Sequence, residues 1–173
     1  MTLATDVYKY LVFENPNWDY KTINPEADFP RAEKAIAESM DATNPDLKPF
    51  IDRGGKLLMY HGWSDPGIPP LNTVQYYKKV ADTLGGASKI SSSIRLFMIP
   101  GMNHCQGGSG TDKFDGMAAL VEWVEHGKAP DRILASHQTS GKIDRTRPLC
   151  PYPQVAAYKG TGSTDDAVNF VCK

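Results

Sequence analysis

Two apolar runs stand out in a chain that is otherwise evenly mixed: Leu57-Leu58-Met59-Tyr60 and Ile94-Arg95-Leu96-Phe97-Met98-Ile99. Neither alternates strictly between apolar and polar positions, which is the pattern of strands buried on both faces of a parallel sheet. Between them the period changes. Val74, Tyr77, Val80, Ala81 and Leu84 recur at helical spacing, with Asn72 or Thr73 as the expected N-cap and Gly85-Gly86 as the stop. A second amphipathic stretch runs from about Asp112 to Glu125 and ends at Gly127. Strand, helix, strand, helix predicts a parallel α/β architecture.

Elsewhere the pattern is weaker. Residues 7–13 fit either a short strand or the end of a helix, and 14–30 read as loop, broken by Asn15-Pro16-Asn17, Asn24-Pro25 and Phe29-Pro30. A helix is expected over 31–40, and Pro45 to Phe50 leads into a short helical turn. Residues 132–137 add one more short strand, and 138–173 read as a wrapping tail. The expected organisation is therefore an N-terminal segment (1–50), a partial core (51–137) and the tail (138–173). Two or three strands make a small sheet, so something is expected to lie along the outer edge of 57–60. Either the N-terminal segment or polypeptide outside these residues would supply it.

Composition narrows the function classes. With 40% hydrophobic and 23% charged residues the chain is ordinary for a globular protein, and 173 residues can bury one full core. A formal net charge of −1 and no basic stripe give no electrostatic reason to expect nucleic acid or an anionic membrane as partner. No apolar stretch approaches the roughly 20 residues that span a bilayer. Met1 to Asp6 has neither the basic start nor the apolar run of a signal peptide. No His/Cys cluster has zinc spacing and no acidic loop has calcium spacing, so no metal or cofactor is expected.

The candidate chemistry lies where the two apolar runs end. The first leads into His61-Gly62-Trp63-Ser64-Asp65-Pro66 and the second into Pro100-Gly101-Met102-Asn103-His104-Cys105. In open α/β sheets ligands bind beyond the carboxyl ends of strands, and these loops place an acid and then a histidine there. That is the Asp-then-His half of a Ser-His-Asp triad in the order where the nucleophile comes first. The carboxylate fixes one imidazole nitrogen so that the other can take a proton from a hydroxyl. No Gly-x-Ser-x-Gly elbow occurs in the 173 residues; Gly107-Gly108-Ser109-Gly110-Thr111 fails at its last position.

The remaining candidates carry less. His61 is read as a loop hydrogen-bonding residue, His126 as a cation suited to a helix C-terminus, and His137 as a residue in polar coil. Trp63 could wall a pocket for an aromatic substrate or be a buried structural residue. Asp165-Asp166 after Ser163 reads as a helix cap with acids in the first turn. Cys150 and Cys172 bracket the tail, either as two buried thiols or as a bridge that removes about 3 kcal/mol of unfolded-state freedom. A bridge would point to export and leave Cys105 over.

The two loops and their strands are specific enough to compare. Arg53-Gly54-Gly55-Lys56-Leu57-Leu58-Met59-Tyr60-His61-Gly62-Trp63-Ser64-Asp65 resembles the acid-bearing segment of the tannase/feruloyl esterase family, and Pro100-Gly101-Met102-Asn103-His104-Cys105 its histidine loop. Arg147 to Pro153 and Tyr158 to Ser163 resemble its C-terminal tail. The likeness runs from about Tyr10 to Lys173, against the C-terminal part of a family protein only. It implies the C-terminal portion of an α/β-hydrolase fold, with parallel strands, flanking helices and a disulfide-tied tail. It further implies Asp65 as triad acid, His104 as triad base, a Cys150–Cys172 bridge and a secreted or periplasmic location. The substrate would be a small aromatic (phenolic) acid ester. By the same resemblance Cys105 pairs with a cysteine beside the nucleophilic serine, so here it is expected unpaired, and serine, oxyanion hole, lid and calcium site would lie in a missing N-terminal hydrolase portion. Two alternatives remain at this point: a non-catalytic remnant or binding module of the same fold, and an active short hydrolase using another serine such as Ser64 or Ser109.

Overall fold

The computed structural model describes residues 3–173 and divides into two units, one ending at Asn44 and the other spanning Pro45–Lys173. In the first, α1 (Leu3–Val7) runs into a π-turn over Tyr8–Val12, so residues 7–13 are a helix end and not a strand. Trp18 stacks on Phe13 and on Tyr8 at ring distances of 5.0 and 5.4 Å, and the Arg31 guanidinium lies 4.6 Å over Phe13.

The expected loop over 14–30 is shorter than read. A 3-10 turn forms at Tyr20–Thr22, and α2 covers Pro25–Met40, beginning six residues before the expected start at 31. Its cap explains the difference. The Asn24 side chain accepts the Glu26 N–H, Asp28 accepts the Asn24 N–H at 2.8 Å, and Pro25 takes the first helical position, where its missing N–H is harmless. Pro30 then lies inside the helix at the cost of one ladder bond.

The second unit opens with the short helix α3 (Lys48–Asp52) and then builds β1 (Leu57–Gly62), α4 (Pro70–Thr83), the single turn α5 (Ala87–Ile90) and β2 (Ile94–Ile99). β1 and β2 pair in parallel, Leu57 opposite Ile94 through Gly62 opposite Ile99. β2 is the buried strand: Ile94, Leu96 and Met98 pack with Val74, Tyr77 and Val80 of α4, while Phe97 and Ile99 turn to a second cluster with Met102, Ile133 and Leu149. The expectation that 57–60 is buried on both faces fails. Most of β1 is half-buried and Tyr60 is exposed, because the strand pairs only with β2 and its outer edge is open among the described residues.

α4 begins earlier than Asn72 or Thr73 would place it. Pro69 occupies the cap position and Pro70 the first turn, with no side-chain cap, and the Thr73 hydroxyl is directed to His61. α6 (Gly116–His126) starts four residues later than expected, because Asp115 and not Asp112 caps it by accepting the Ala118 N–H at 2.8 Å. It ends as read, with Gly127 in the left-handed region at φ 69°.

The strand at 132–137 exists as β4 (Ile133–Thr139), but it is antiparallel. With β3 (Lys113–Phe114) and β5 (Lys142–Leu149) it forms a separate three-stranded sheet in the order β3-β4-β5. The tail is therefore more regular than a wrapping coil. β6 (Ala156–Tyr158) and β7 (Phe170–Cys172) also pair antiparallel, and the Arg147 guanidinium stacks 4.0 Å over Phe170. Polar residues such as Asp144, Arg145 and Thr146 hid β5 from an apolar-pattern reading. The bridge Cys150–Cys172 closes the tail, and Tyr152 donates its N–H to Leu96 O at 2.7 Å along the other edge of β2.

Candidate active site

The parallel register of β1 and β2 ends both strands at one level, so the loops that follow them leave side by side. Their approach is close. Trp63 N–H donates to Ile99 O at 2.9 Å and Ser64 N–H to Met102 O at 3.0 Å. A Cβ at Gly62 would collide with the carbonyl oxygens of Met102 and Asn103, so only glycine lets the two loops cross here. The histidine loop is itself a tight return. Asn103 N–H bonds Gly107 O at 3.0 Å, Gly110 N–H bonds Gly101 O at 3.0 Å, and the Asp112 carboxylate accepts the Gly107 N–H at 2.7 Å.

This crossing brings Asp65 and His104 together, with His104 Nδ1 2.8 Å from Asp65 Oδ2. The Asp65 side chain is 2% exposed and His104 is 60% exposed. Every part of the carboxylate is used: Oδ1 accepts the N–H groups of Gly67 (2.8 Å) and Ile68 (3.0 Å), and Oδ2 also meets His61 Nε2 at 3.0 Å. Burial alone would raise the Asp65 pKa, but the Ile68 and Gly67 amides and the two imidazoles outweigh it and hold the carboxyl far below its usual range. An ionised carboxylate can only accept, so His104 carries its proton on Nδ1. In the neutral ring Nε2 is then the acceptor, with no hydrogen-bond partner among the described residues.

A cavity of about 170 Å³ opens at this point, lined by Tyr60, His61, Asp65, Ile68, His104 and Cys105 together with Gly62 and Met102. Cys105 is free and exposed, and its φ of 62° turns the chain sharply after the histidine. Trp63 does not line this cavity. It faces a larger one of about 500 Å³, with Met98, Ser109, Arg145 and Tyr152. Ser64 and Ser109 also lie outside the cavity holding Asp65 and His104. Among the described residues no three or more His, Cys, Asp or Glu side chains gather as a metal-ligating group.

The structure gives His61 more than a loop role. It stands on β1, buried to 11% exposure, with Nδ1 2.7 Å from the Thr73 hydroxyl of α4 and Nε2 on the carboxylate. The alternation of β1 could have signalled this, because Leu57, Met59 and His61 share the face packed on α4. His126 ends α6 beside Glu122 as read. His137 is not in coil: it sits on β4, at the register shift with β5, and bonds Asp144 at 2.6 Å.

The fold is α/β-hydrolase-like, with a hydrogen-bonded acid–histidine pair beyond the carboxyl ends of adjacent parallel strands. The chain belongs to the family described as tannase and feruloyl esterase, which it matches over residues 2–173. It is similar to the mono(2-hydroxyethyl) terephthalate hydrolase of Piscinibacter sakaiensis, with 51% identity over 140 residues, 78% of this chain and 23% of that protein. Feruloyl esterase C of Talaromyces stipitatus is 35% identical across 98% of this chain and 35% of its own length. Among solved structures, an esterase from Aspergillus oryzae superposes with a TM-score of 0.88 at 33% identity, and feruloyl esterase B from the same organism with 0.84 at 34%. Each covers 98% of this chain and 37% of the other. The chain thus spans well under half the length of the relatives it matches.

Proposed function

We propose that this chain carries the acid and base of a carboxylic ester hydrolase acting on small aromatic, phenolic acid esters by a Ser-His-Asp mechanism. The observation that supports it is the 2.8 Å bond between buried Asp65 and exposed His104, which leaves Nε2 turned to solvent as an acceptor. Asp65 orients the imidazole and stabilises the imidazolium. His104 takes the proton of a serine hydroxyl as the oxygen attacks the ester carbonyl, then returns it to the departing alcohol. Water repeats the sequence on the acyl-serine and frees the acid.

The serine is supplied by polypeptide outside these 173 residues. This accords with the share of the relatives that the chain covers and with the open outer edge of β1. The exposed Tyr60, which meets Phe114 edge-on at 5.1 Å, lies on that strand. A short self-sufficient hydrolase using Ser64 or Ser109 has less support, since neither residue shares the cavity with His104. The tail disulfide favours an extracytoplasmic setting, secreted or periplasmic.

The test is hydrolysis of methyl ferulate and p-nitrophenyl acetate by the chain alone and by a full-length parent, each with His104→Ala. The expected result is turnover by the parent that the substitution abolishes, and none by the chain alone. Parent turnover unchanged by His104→Ala overturns the assignment. Turnover by the isolated chain that His104→Ala abolishes overturns the external serine.

A further inference from the structure

His61 is a half-buried imidazole with both nitrogens engaged, and the proton transfers described above make no use of it. Asp65 Oδ2 is shared: His104 approaches at 2.8 Å and His61 at 3.0 Å. If His61 Nε2 were unprotonated, two lone pairs would face each other at that distance, one of them on an anion. Nε2 therefore carries the hydrogen; in the neutral ring Nδ1 is the acceptor, and the Thr73 hydroxyl, 2.7 Å away, is placed to donate to it. Thr73 is fixed in the first turns of α4 and His61 on β1, so the relay Thr73–His61–Asp65–His104 runs from packed elements to the exposed loop.

We propose that His61 is a positioning residue of this site: neutral, protonated on Nε2 toward the Asp65 carboxylate and steadied at Nδ1 by the Thr73 hydroxyl, it occupies one lone pair of Asp65 Oδ2. It thereby fixes the carboxylate and limits how strongly that oxygen holds His104. This rests on the reading of Asp65 and His104 as triad acid and base. Its physical core is a competition: two donors share one carboxylate oxygen, so each weakens the bond available to the other. A bound imidazolium at His104 is then stabilised less than an unshared carboxylate would stabilise it, which keeps the base easy to deprotonate between proton transfers. The other titratable groups facing the cavity are Tyr60 from β1 and Cys105 from the histidine loop, and no lysine or arginine lines it among the described residues.

The experiment reads the imidazole nitrogens directly. Nitrogen-15 NMR of the 173-residue chain is recorded through a pH titration for the native sequence, His61→Phe, His61→Gln and Thr73→Val, with amide spectra to establish that β1 and β2 are intact. Native His61 is expected to show the Nε2–H tautomer. The His104 titration midpoint is expected to move upward by about half a unit or more in His61→Phe. It returns toward the native position in His61→Gln, whose amide N–H can replace the lost donor. Thr73→Val, which removes one hydroxyl and keeps the volume, is expected to loosen the His61 ring and move the His104 midpoint the same way as His61→Phe by a smaller amount, and it carries the test if His61→Phe does not fold. A native His61 with its proton on Nδ1 overturns the proposal. So does a His104 midpoint that is the same in every folded variant. None of these readouts needs a serine, so they stand apart from the turnover test of the triad reading.

Discussion

At the scale of single residues, the site is a carboxylate with no spare lone pair. Asp65 accepts from two backbone amides and two imidazoles while nearly buried. In a complete enzyme Asp65→Asn is expected to lower kcat on the order of 10⁴-fold, because the amide favours the wrong His104 tautomer. Steady-state kinetics of the full-length parent measures it. The lowered pKa also makes a statement about acid stability. A carboxylate whose folded pKa lies below its unfolded value of 3.8 stabilises the fold fully above that value and loses the contribution as pH falls toward the folded one. The stability gap between the native chain and Asp65→Asn, measured by urea unfolding, is therefore expected to be constant from pH 7 to about 5 and to shrink below pH 4.

At the scale of elements, the histidine reaches the acid because two loops are pinned to each other. Asp112 holds the return of the histidine loop through the Gly107 N–H and pairs with Lys113 at 2.9 Å, with its side chain 7% exposed. Asp112→Ala is expected to cost about 1–3 kcal/mol and to weaken the His104–Asp65 bond, seen as faster amide exchange over 101–110. Gly62→Ala inserts a methyl group against two backbone carbonyls that cannot swing aside. It is expected to cost about 1–3 kcal/mol, with thermal unfolding as the measurement. Neither substitution touches a reacting group, yet both move the geometry on which one depends.

At the scale of the whole molecule, the tail is fastened and the outer edge of β1 is unpaired among the described residues. The Cys150–Cys172 bridge closes a sequence separation of 22 residues. Replacing both cysteines by serine is expected to lower unfolding stability by about 3 kcal/mol, measured by denaturant unfolding under conditions that leave Cys105 unmodified. The open edge of β1 presents backbone donors and acceptors beside exposed Tyr60, a surface suited to receiving another strand.

The sequence by itself determined the parallel pair, the helix between its strands and the presence of an acid and a histidine at their ends. Those are local properties: apolar runs, helical spacing and strand-end loops are written in neighbouring residues. It also pointed to the tail bridge, which the structure contains. The early start of α2 escaped because a reciprocal cap outweighed Pro30, and β5 escaped because its pairing with β4 carries polar side chains. Spacing could place His61 on the face of β1 shared with Leu57 and Met59, but not name its partners. Its role depends on which face of β1 meets α4, on where Thr73 stands in that helix, and on the loop that folds Asp65 back beneath it. Only tertiary structure decides such a convergence, since a hydrogen bond between elements is fixed by packing and register, which no single segment encodes.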